Sequence, residues 1–411
     1  MNKILNKPSS IIAVIAGLAL IAAIFSGVWS CSQRAAVNTY GIPDCEITRP
    51  LDSIFAGLFP DPSDPGAIVM VMSGDSAVFK RCYGTADLET GAPVTDSTVF
   101  NISSGTKSYV GAAIMKLAEQ GLVSLDDSLS KFFPELPAKY FDKIKVWHVL
   151  THSSGLPDLR PSTPEAWEEY VGSFRSSFGM NSDYRLYGSE REYIRTFQAL
   201  DTVPYNPGEY FDKRDISYVL IAPLIENVTG CDFRRWMQEN IFAPAGMTDT
   251  YFFDGSAPGS PRMAHGYRLA PDSVPSGEGS RWNEYDYGEA DFFTTKADRG
   301  ACSTADDYLR FKIALQSGKI ISRESLATML VPILNSGGDN VVWAPATPIL
   351  QEPGRPAKCY YINANGGFGV IIGWWPDKDL QYLVFSNRND WDRRHTAAAV
   401  DSVFRANHWL D

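Results

Sequence analysis

The feature that most constrains the fold is a pair of strand patterns at each end of a long chain. Ala67 to Met72 and Ala77 to Tyr83 are apolar runs separated by a Ser-Gly-Asp turn, a pattern typical of a β-hairpin. Phe368 to Trp375 and Gln381 to Asn387 repeat the pattern around a Pro-Asp-Lys-Asp turn. Strands at both ends with helices between them predict an α+β fold, in which both chain ends build one antiparallel sheet flanked by helices.

Helical spacing of apolar residues predicts three helices. Tyr109 to Gln120 and Asp215 to Val228 carry apolar residues three and four apart, and each pattern stops at a glycine. Trp391 to Trp409 predicts a closing helix. The polar and aromatic residues 158–206 predict a partly helical insertion, and the Gly- and Pro-rich residues 254–300 predict a long surface excursion.

The first 31 residues form a separate segment. Lys3 and Lys7 precede an almost wholly apolar run from Ile11 to Val28, which predicts a secretory signal or a membrane anchor. Cys31 stands at a site that resembles a bacterial lipoprotein cleavage site, while about 18 apolar residues are also just enough to span a bilayer. Lipidation of Cys31, an uncleaved anchor and ordinary signal cleavage therefore stay open. Each alternative predicts export, with the protein tethered at a periplasmic or cell-surface membrane in the first two.

The remaining chain divides into two parts. Residues 32–66, with several prolines, predict a linker and domain entry, and residues 67–411 predict a single domain that carries both insertions. Five cysteines besides Cys31 form no C-x-x-C pattern, so they predict neither a zinc site nor a redox motif. The net charge of −11 disfavours nucleic acid as the main partner, because phosphate binding requires a basic excess.

The sharpest chemical signal is Ser104-Gly105-Thr106-Lys107 at the start of the first strong helix. A serine nucleophile needs a nearby base, and three residues along a helix place Lys107 on the same face as Ser104. Ser103 has Thr106 at the corresponding position, so Ser104 is the predicted nucleophile. The N-terminus of the helix adds backbone N–H groups that favour a developing oxyanion.

Several segments in a fixed order resemble the serine β-lactamase-like family, which includes class C β-lactamases, D-Ala-D-Ala carboxypeptidases, penicillin-binding-protein-like hydrolases, esterases and D-aminopeptidases. The resemblance covers roughly residues 50–390. It rests on the stretch around Ser104 and Lys107 and on segments similar to the family's "LLTHTSGLP", "GMxDT" and "GGLxSTAxD", which are residues 149–157, 246–250 and 300–307. It implies the β-lactamase/transpeptidase-like fold, a serine acyl-enzyme and no cofactor or metal.

The second motif departs from the family's Tyr-x-Asn. Aligning Pro207-Gly208 places Lys213 at the tyrosine and Asp215 at the asparagine. Lys213 is either a substitute base, because two neighbouring ammonium groups disfavour double protonation, or an anion-binding residue in a site that has lost its chemistry. Tyr210 is a third candidate if the register slips.

The third motif is Lys-Thr-Gly or His-x-Gly in the family, and Asn365-Gly366-Gly367 is the predicted counterpart. Its glycines allow a substrate to approach the backbone closely, and an N–H of this edge would complete an oxyanion hole. The missing basic residue weakens the case for a substrate carboxylate held there. A plain turn is the alternative interpretation.

Two further groups of residues are candidates for a metal site or a substrate cleft. His148 and His152 are four residues apart, but no third metal ligand accompanies them, so a structural role is expected. Aromatic residues cluster in the excursion, where they line a cleft or pack the loop: Trp282, Tyr285, Tyr287, Phe292 and Phe293.

The sequence thus predicts an exported serine hydrolase that acts through an acyl-enzyme on an ester or amide, with cell-wall D-amino peptides among the candidate substrates. Catalysis is assigned to Ser104, Lys107 and Lys213, and substrate binding to Asp215, Asn365, Gly366 and Gly367. The alternative is a non-catalytic binding or sensor protein with a degenerate site. The expected partners are a small-molecule or peptide substrate and the membrane.

Overall fold

A computed structural model describes residues 48–157, 202–211, 215–252, 260–270, 281–285, 296–335 and 341–411, together with a few positions between 190 and 200. The predicted signal segment, Lys213, and most of both insertions lie outside these residues. No helix in the described ranges is long and apolar enough to span a bilayer.

The described strands are numbered in chain order. They are β1 Ala67–Ser73, β2 Ser76–Tyr83, β3 Thr85–Asp87, β4 Ala92–Pro93, β5 Phe100–Asn101, β6 Tyr251–Phe252, β7 Tyr267–Leu269, β8 Trp282–Glu284, β9 Ala301–Ser303, β10 Leu334–Asn335, β11 Val341–Ala344, β12 Thr347–Leu350, β13 Lys358–Asn365, β14 Phe368–Trp375 and β15 Leu380–Ser386.

The main sheet has eight strands in the order β10-β11-β12-β13-β14-β15-β1-β2, and every neighbouring pair is antiparallel. The C-terminal strand β15 pairs with β1 from Ala67↔Ser386 to Ser73↔Leu380. The prediction that both chain ends build one antiparallel sheet is therefore confirmed. A smaller sheet, β5-β9-β6, lies beside the candidate nucleophile.

Helices cover both faces of the main sheet. The α-helices are Arg49–Leu58, Thr106–Glu119, Ala138–Phe141, Val146–Leu150, Ile221–Thr229, Phe233–Met237, Ala243–Ala245, Lys296–Arg299, Ala305–Gln316, Arg323–Met329 and Arg393–Ala406. The 3₁₀ turns are Ser103–Gly105, Leu129–Lys131, Asp215–Leu220 and Pro376–Lys378, and a π turn spans Gln238–Phe242. The first and the closing predicted helices are confirmed, with ends displaced by up to three residues, whereas the segment predicted as a helix from Asp215 to Val228 is a 3₁₀ turn followed by an α-helix. We call Thr106–Glu119 the nucleophile helix.

The two faces of the sheet bury separate cores. The larger core joins one face to the nucleophile helix and the helical region around it. On the other face, the helices Arg49–Leu58 and Arg393–Ala406 pack together, and Phe404 lies edge-on against Trp375 at 5.6 Å between ring centroids. Burying an aromatic side chain of this kind contributes about 1.5–3 kcal/mol.

The segment before the first strand is more ordered than its prolines suggest. Residues 49–58 form a helix that buries Leu51 and Phe55 in the second core. Part of the predicted linker and domain entry is therefore a packed element of the domain, because a one-sided apolar pattern that meets a complementary sheet face forms a helix despite neighbouring prolines.

Candidate active site

The candidate nucleophile lies on a tight turn between a short strand and the nucleophile helix. Strand β5 ends at Asn101, and the 3₁₀ turn Ser103–Gly105 leads directly into the helix. Ser103 has φ = 49°, a left-handed conformation that is uncommon for a residue other than glycine. The turn places Ser104 at the start of the helix, while the N–H groups of Ser103, Gly105 and Thr106 donate to acceptors within the turn and to Asn101.

Asn101 holds this turn in place. Its Oδ1 accepts a hydrogen bond from the backbone N–H of Ser103 at 2.9 Å, and its Nδ2 donates to the carbonyl of Arg299 at 2.8 Å. Gly105 continues the close packing, because a Cβ there would lie 2.7 Å from Cδ1 of Ile372 in β14. The sheet and the residues before β9 thus fix the nucleophile turn from two sides.

The structure brings Ser104 and Lys107 together as the sequence predicts. Lys107 Nζ lies 3.2 Å from Ser104 Oγ, and the lysine is only 1% exposed. The ammonium also forms an ion pair with Oδ1 of Asp298, a fully buried carboxylate whose Oδ2 accepts a 2.7 Å hydrogen bond from Nε of Arg299. Sequence reasoning missed Asp298, since 191 residues separate it from Lys107 and no local pattern marks it.

The second-motif segment reaches this lysine through a different residue. The 3₁₀ turn Asp215–Leu220 places the ring of Tyr218 4.9 Å from Lys107 Nζ, and the Tyr218 hydroxyl donates to the carbonyl of Leu150 at 2.8 Å. Lys213 lies outside the described residues, as does the side chain of Asp215, so their predicted roles stay predictions. Tyr210, the third candidate, is 58% exposed and packs edge-on against Tyr205 at the surface.

Strand β13 forms the opposite wall. Alternation along the strand puts Tyr361, Asn363 and Asn365 on one face. Asn365 is buried and donates to Asn101 Oδ1 at 3.3 Å, so it supports the nucleophile turn, whereas Asn363 lines the cleft. The period-two pattern of the strand was the signal that could have identified Asn363.

Gly366 and Gly367 form the turn between β13 and β14, with φ of 46° and 58°. A Cβ on Gly367 would lie 2.3 Å from the backbone nitrogen of Tyr267, so a side chain is excluded there. The close approach at Gly367 is to a neighbouring segment of the chain, at Gly266 and Tyr267. Their predicted contact with substrate stays a prediction.

A cavity of about 700 Å³ opens above Ser104 and Lys107. Its lining includes Phe211, Trp343, Tyr361 and Asn363. Phe211 and Trp343 stack with ring centroids 5.1 Å apart. Burial raises the pKa of Tyr361 well above its ordinary value of 10, so this phenol stays protonated. The cleft therefore joins an apolar aromatic wall to a buried serine–lysine pair.

Strand β13 continues along the cleft beyond its neighbour. Its pairing with β12 comprises Ile349↔Cys359 and Leu350↔Lys358, and the residues that follow, 360–363, line the cavity.

The remaining sequence candidates are structural elements. His148 is buried, and its Nδ1 accepts the backbone N–H of Lys145 at 2.8 Å. His152 packs among Phe211, Tyr218 and Trp343. Trp282 donates its Nε1 hydrogen to Asp64 at 2.8 Å and so packs the excursion against the domain. Tyr287, Phe292 and Phe293 lie outside the described residues, and no cluster of metal-ligating side chains occurs within them.

The chain is similar in sequence to known bacterial proteins. A relative, Penicillin-binding protein 4* of Bacillus subtilis (strain 168), is 24% identical over 333 residues, which are 78% of this chain and 68% of that protein. Protein flp of Staphylococcus aureus (strain MRSA252) is 27% identical over 57% of this chain, and the match spans only 44% of that protein's length.

Solved structures show the same fold. The penicillin-binding protein homologue from Pyrococcus abyssi, described as octameric, superposes with a TM-score of 0.72 at 23% identity and covers 88% of this chain and 78% of that chain. The D-amino acid amidase from Ochrobactrum anthropi SV3 superposes with a TM-score of 0.67 at 23% identity, over 89% and 99% of the two chains. The family model named Beta-lactamase matches residues 55–404. With its fold, its buried serine–lysine pair and a match over most of its length, the chain belongs to the Beta-lactamase family.

Proposed function

We propose that this protein is an exported serine hydrolase that cleaves an ester or amide through an acyl-enzyme. The observation that carries the proposal is the buried pair of Ser104 Oγ and Lys107 Nζ, 3.2 Å apart beneath a 700 Å³ cleft. The family membership supports hydrolysis, and the name of the D-amino acid amidase supports D-amino amides as substrates to test first.

The chemistry follows from the groups present. Ser104 Oγ attacks the carbonyl carbon while its proton passes to an uncharged Lys107 amine. We infer that the backbone N–H of Ser104 itself stabilises the oxyanion, since the neighbouring N–H groups of Gly105 and Thr106 are bonded within the turn. Lys107 then gives its proton to the leaving alcohol or amine, and water releases the acyl group from Ser104 by the same path in reverse.

A fluorophosphonate probe tests the nucleophile, because it labels an activated serine without requiring the natural substrate. The intact protein should be labelled on the peptide that contains Ser104, and Ser104→Ala should abolish the signal. Ser103→Ala is the matched control, since Ser103 is the adjacent buried hydroxyl. Labelling that survives in Ser104→Ala, or none in the wild type at high probe concentration, would reject the proposal.

The departure at the second motif supports a second candidate, a binding or sensor protein without turnover. Lys213→Ala separates the alternatives. If Lys213 is a base, kcat on a p-nitrophenyl ester should fall on the order of 10²–10⁴-fold. If it only binds an anion, KM should rise while kcat stays nearly unchanged. A stable acyl-Ser104 that never turns over would support the sensor.

A further inference from the structure

A buried charge cluster beneath the nucleophile goes beyond the serine–lysine pair. It consists of Lys107, Asp298 and Arg299. The Lys107 side chain is 1% exposed and the Asp298 side chain 0%, and the carboxylate contacts the ammonium through Oδ1 and the guanidinium through Oδ2. Asp298 thus divides one negative charge between two cations.

The cluster creates a problem for catalysis. A protonated Lys107 can donate a hydrogen bond to Ser104, but it cannot accept the proton that Ser104 must lose. A carboxylate in contact favours the ammonium form, whereas a second cation on the same carboxylate weakens that effect and repels the ammonium. Asp298 and Arg299 therefore act on the charge of Lys107 in opposite directions.

Two further side chains in contact with Lys107 are uncharged, the Ser104 hydroxyl at 3.2 Å and the Tyr218 ring at 4.9 Å from Nζ. The cavity that Lys107 lines also has charged residues in its wall: Glu352, Arg355, Lys358, Arg394, Asp401 and Arg405. Lys296, on the same short helix as Asp298, pairs instead with the buried Glu190 at 3.0 Å. Asp298 is thus in direct contact with Lys107, and Arg299 is in direct contact with Asp298.

Neighbouring hydrogen bonds hold the short helix Lys296–Arg299 against the nucleophile turn. Asn101 binds the carbonyl of Arg299, and the backbone N–H of Ala301 donates to Thr106 Oγ1 at 3.1 Å. The carboxylate is thus fixed relative to both Ser104 and Lys107, so its effect does not depend on a mobile side chain.

We propose that Asp298 and Arg299 form a tuning pair that sets the pH at which Lys107 becomes the uncharged amine able to accept the Ser104 proton. Both are positioning residues, since they act through Lys107. The inference rests on the proposed function where it makes Lys107 the base. The charge of Lys107 itself can be measured without turnover.

The test is a pH titration of the Lys107 side chain by NMR in full-length protein labelled with ¹⁵N-lysine, with Lys107→Met used to assign the signal. Arg299→Gln should raise the titration midpoint, because the whole carboxylate charge then acts on Lys107 and a repelling cation is gone. Asp298→Asn should lower it. Each displacement should be about one pH unit or more. When the rate of fluorophosphonate labelling is plotted against pH, its rise on the acidic side should move to higher pH in Arg299→Gln and to lower pH in Asp298→Asn.

Arg310→Gln is the matched control, since Arg310 also pairs with a fully buried aspartate, Asp307, at 2.6 Å on another helix. It should leave the Lys107 midpoint in place. If Asp298→Asn does not fold, Arg299→Gln alone decides, because its side chain is the more exposed of the two. An unchanged or lowered midpoint in folded Arg299→Gln overturns the tuning pair.

The two proposals fail separately. Ser104-dependent labelling with no displacement of the Lys107 midpoint would reject the tuning pair and leave the hydrolase standing. Opposite displacements in a protein that no probe labels would retain the tuning pair and reject the hydrolase.

Discussion

Asn101 joins three parts of the candidate active site through one amide group. Its Oδ1 accepts from the Ser103 backbone and from Asn365, and its Nδ2 donates to the carbonyl of Arg299. These bonds compensate for the left-handed backbone of Ser103, which costs about 1–2 kcal/mol. A single fully buried side chain thus couples the strand before the nucleophile to β13 and to the buried charge cluster.

Asn101→Ala should lower the free energy of unfolding by about 1–3 kcal/mol, because it leaves buried donors and acceptors without partners. The rate of fluorophosphonate labelling should fall as well, since the nucleophile turn loses its support. Urea denaturation and labelling kinetics check both effects. Asn407→Ala, which loses one partly buried hydrogen bond to the carbonyl of Val403, is the control and should change neither value strongly.

His148 predicts a pH dependence of stability. Burial, and secondarily the charge of Lys145, lower the pKa of His148 to about 4 from its ordinary 6.5. The folded state holds the imidazole neutral, whereas the unfolded state takes up a proton below about pH 6.5. The contribution of His148 is therefore fully present above 6.5 and is lost as the pH falls toward 4.

Denaturation at pH 7 and pH 5 measures this effect. The free energy of unfolding should fall by up to about 2 kcal/mol between them, since the slope is at most about 1.4 kcal/mol per pH unit. His148→Asn should remove this component, because an amide oxygen can accept the Lys145 N–H without titrating. The exposed His395→Asn should leave the pH dependence in place. An unaltered slope in His148→Asn would contradict the assignment.

At the scale of elements, the turn between β13 and β14 locks the hairpin β7–β8 onto the sheet. Gly367 approaches the backbone at Gly266 and Tyr267 too closely for any side chain, and it has φ = 58°. Gly91 has φ = 70° and open space where a Cβ would lie. Substitution of Gly91 therefore tests backbone strain alone, whereas substitution of Gly367 tests backbone strain together with a steric clash.

Gly91→Ala should lower the free energy of unfolding by about 1–2 kcal/mol, from backbone strain alone. Gly367→Ala should cost clearly more, because backbone atoms must move as well. Thermal unfolding and urea denaturation of both variants give the comparison. Equal losses of unfolding free energy in the two variants would show that the hairpin shifts freely and that the close approach at Gly367 contributes nothing to stability.

At the scale of the whole molecule, the helix Arg49–Leu58 belongs to the folded domain, whereas residues 1–31 are proposed to set location. The helix Arg49–Leu58 buries Leu51 and Phe55 against the sheet and the C-terminal helix. A protein lacking residues 1–31 should fold and stay in solution. A protein lacking residues 1–60 should lose several kcal/mol of stability, since two large apolar side chains and their contacts disappear. Comparable stability of the two truncated proteins would contradict this division.

Export remains a proposal that rests on the first 31 residues. If Cys31 is lipidated, metabolic labelling with a fatty-acid probe should mark the wild type, and Cys31→Ala should lose the label. A label that persists in Cys31→Ala would reject the lipoprotein alternative and favour the uncleaved anchor or ordinary cleavage.

Local patterns of the sequence predicted several elements and the candidate pair of Ser104 and Lys107. Hairpin and helix periodicities predict β1, β2, β14, β15 and the nucleophile helix because each depends on neighbouring residues. Three residues along one helix are enough to place Lys107 beside Ser104. The closing of the sheet by β15 against β1 was also predictable, since two terminal hairpins have few other edges to pair with.

The tertiary structure alone decided what surrounds that pair. Asp298 reaches Lys107 across 191 residues, and Asn365 reaches Asn101 across 264. Neither contact leaves a periodic signal, because a buried polar residue is chosen by its partner in space and not by its neighbours in the chain. The sequence by itself therefore determined which residues are candidates for reaction, and only the packing of the sheet, the nucleophile helix and the short helix Lys296–Arg299 decided which charged groups lie beside them.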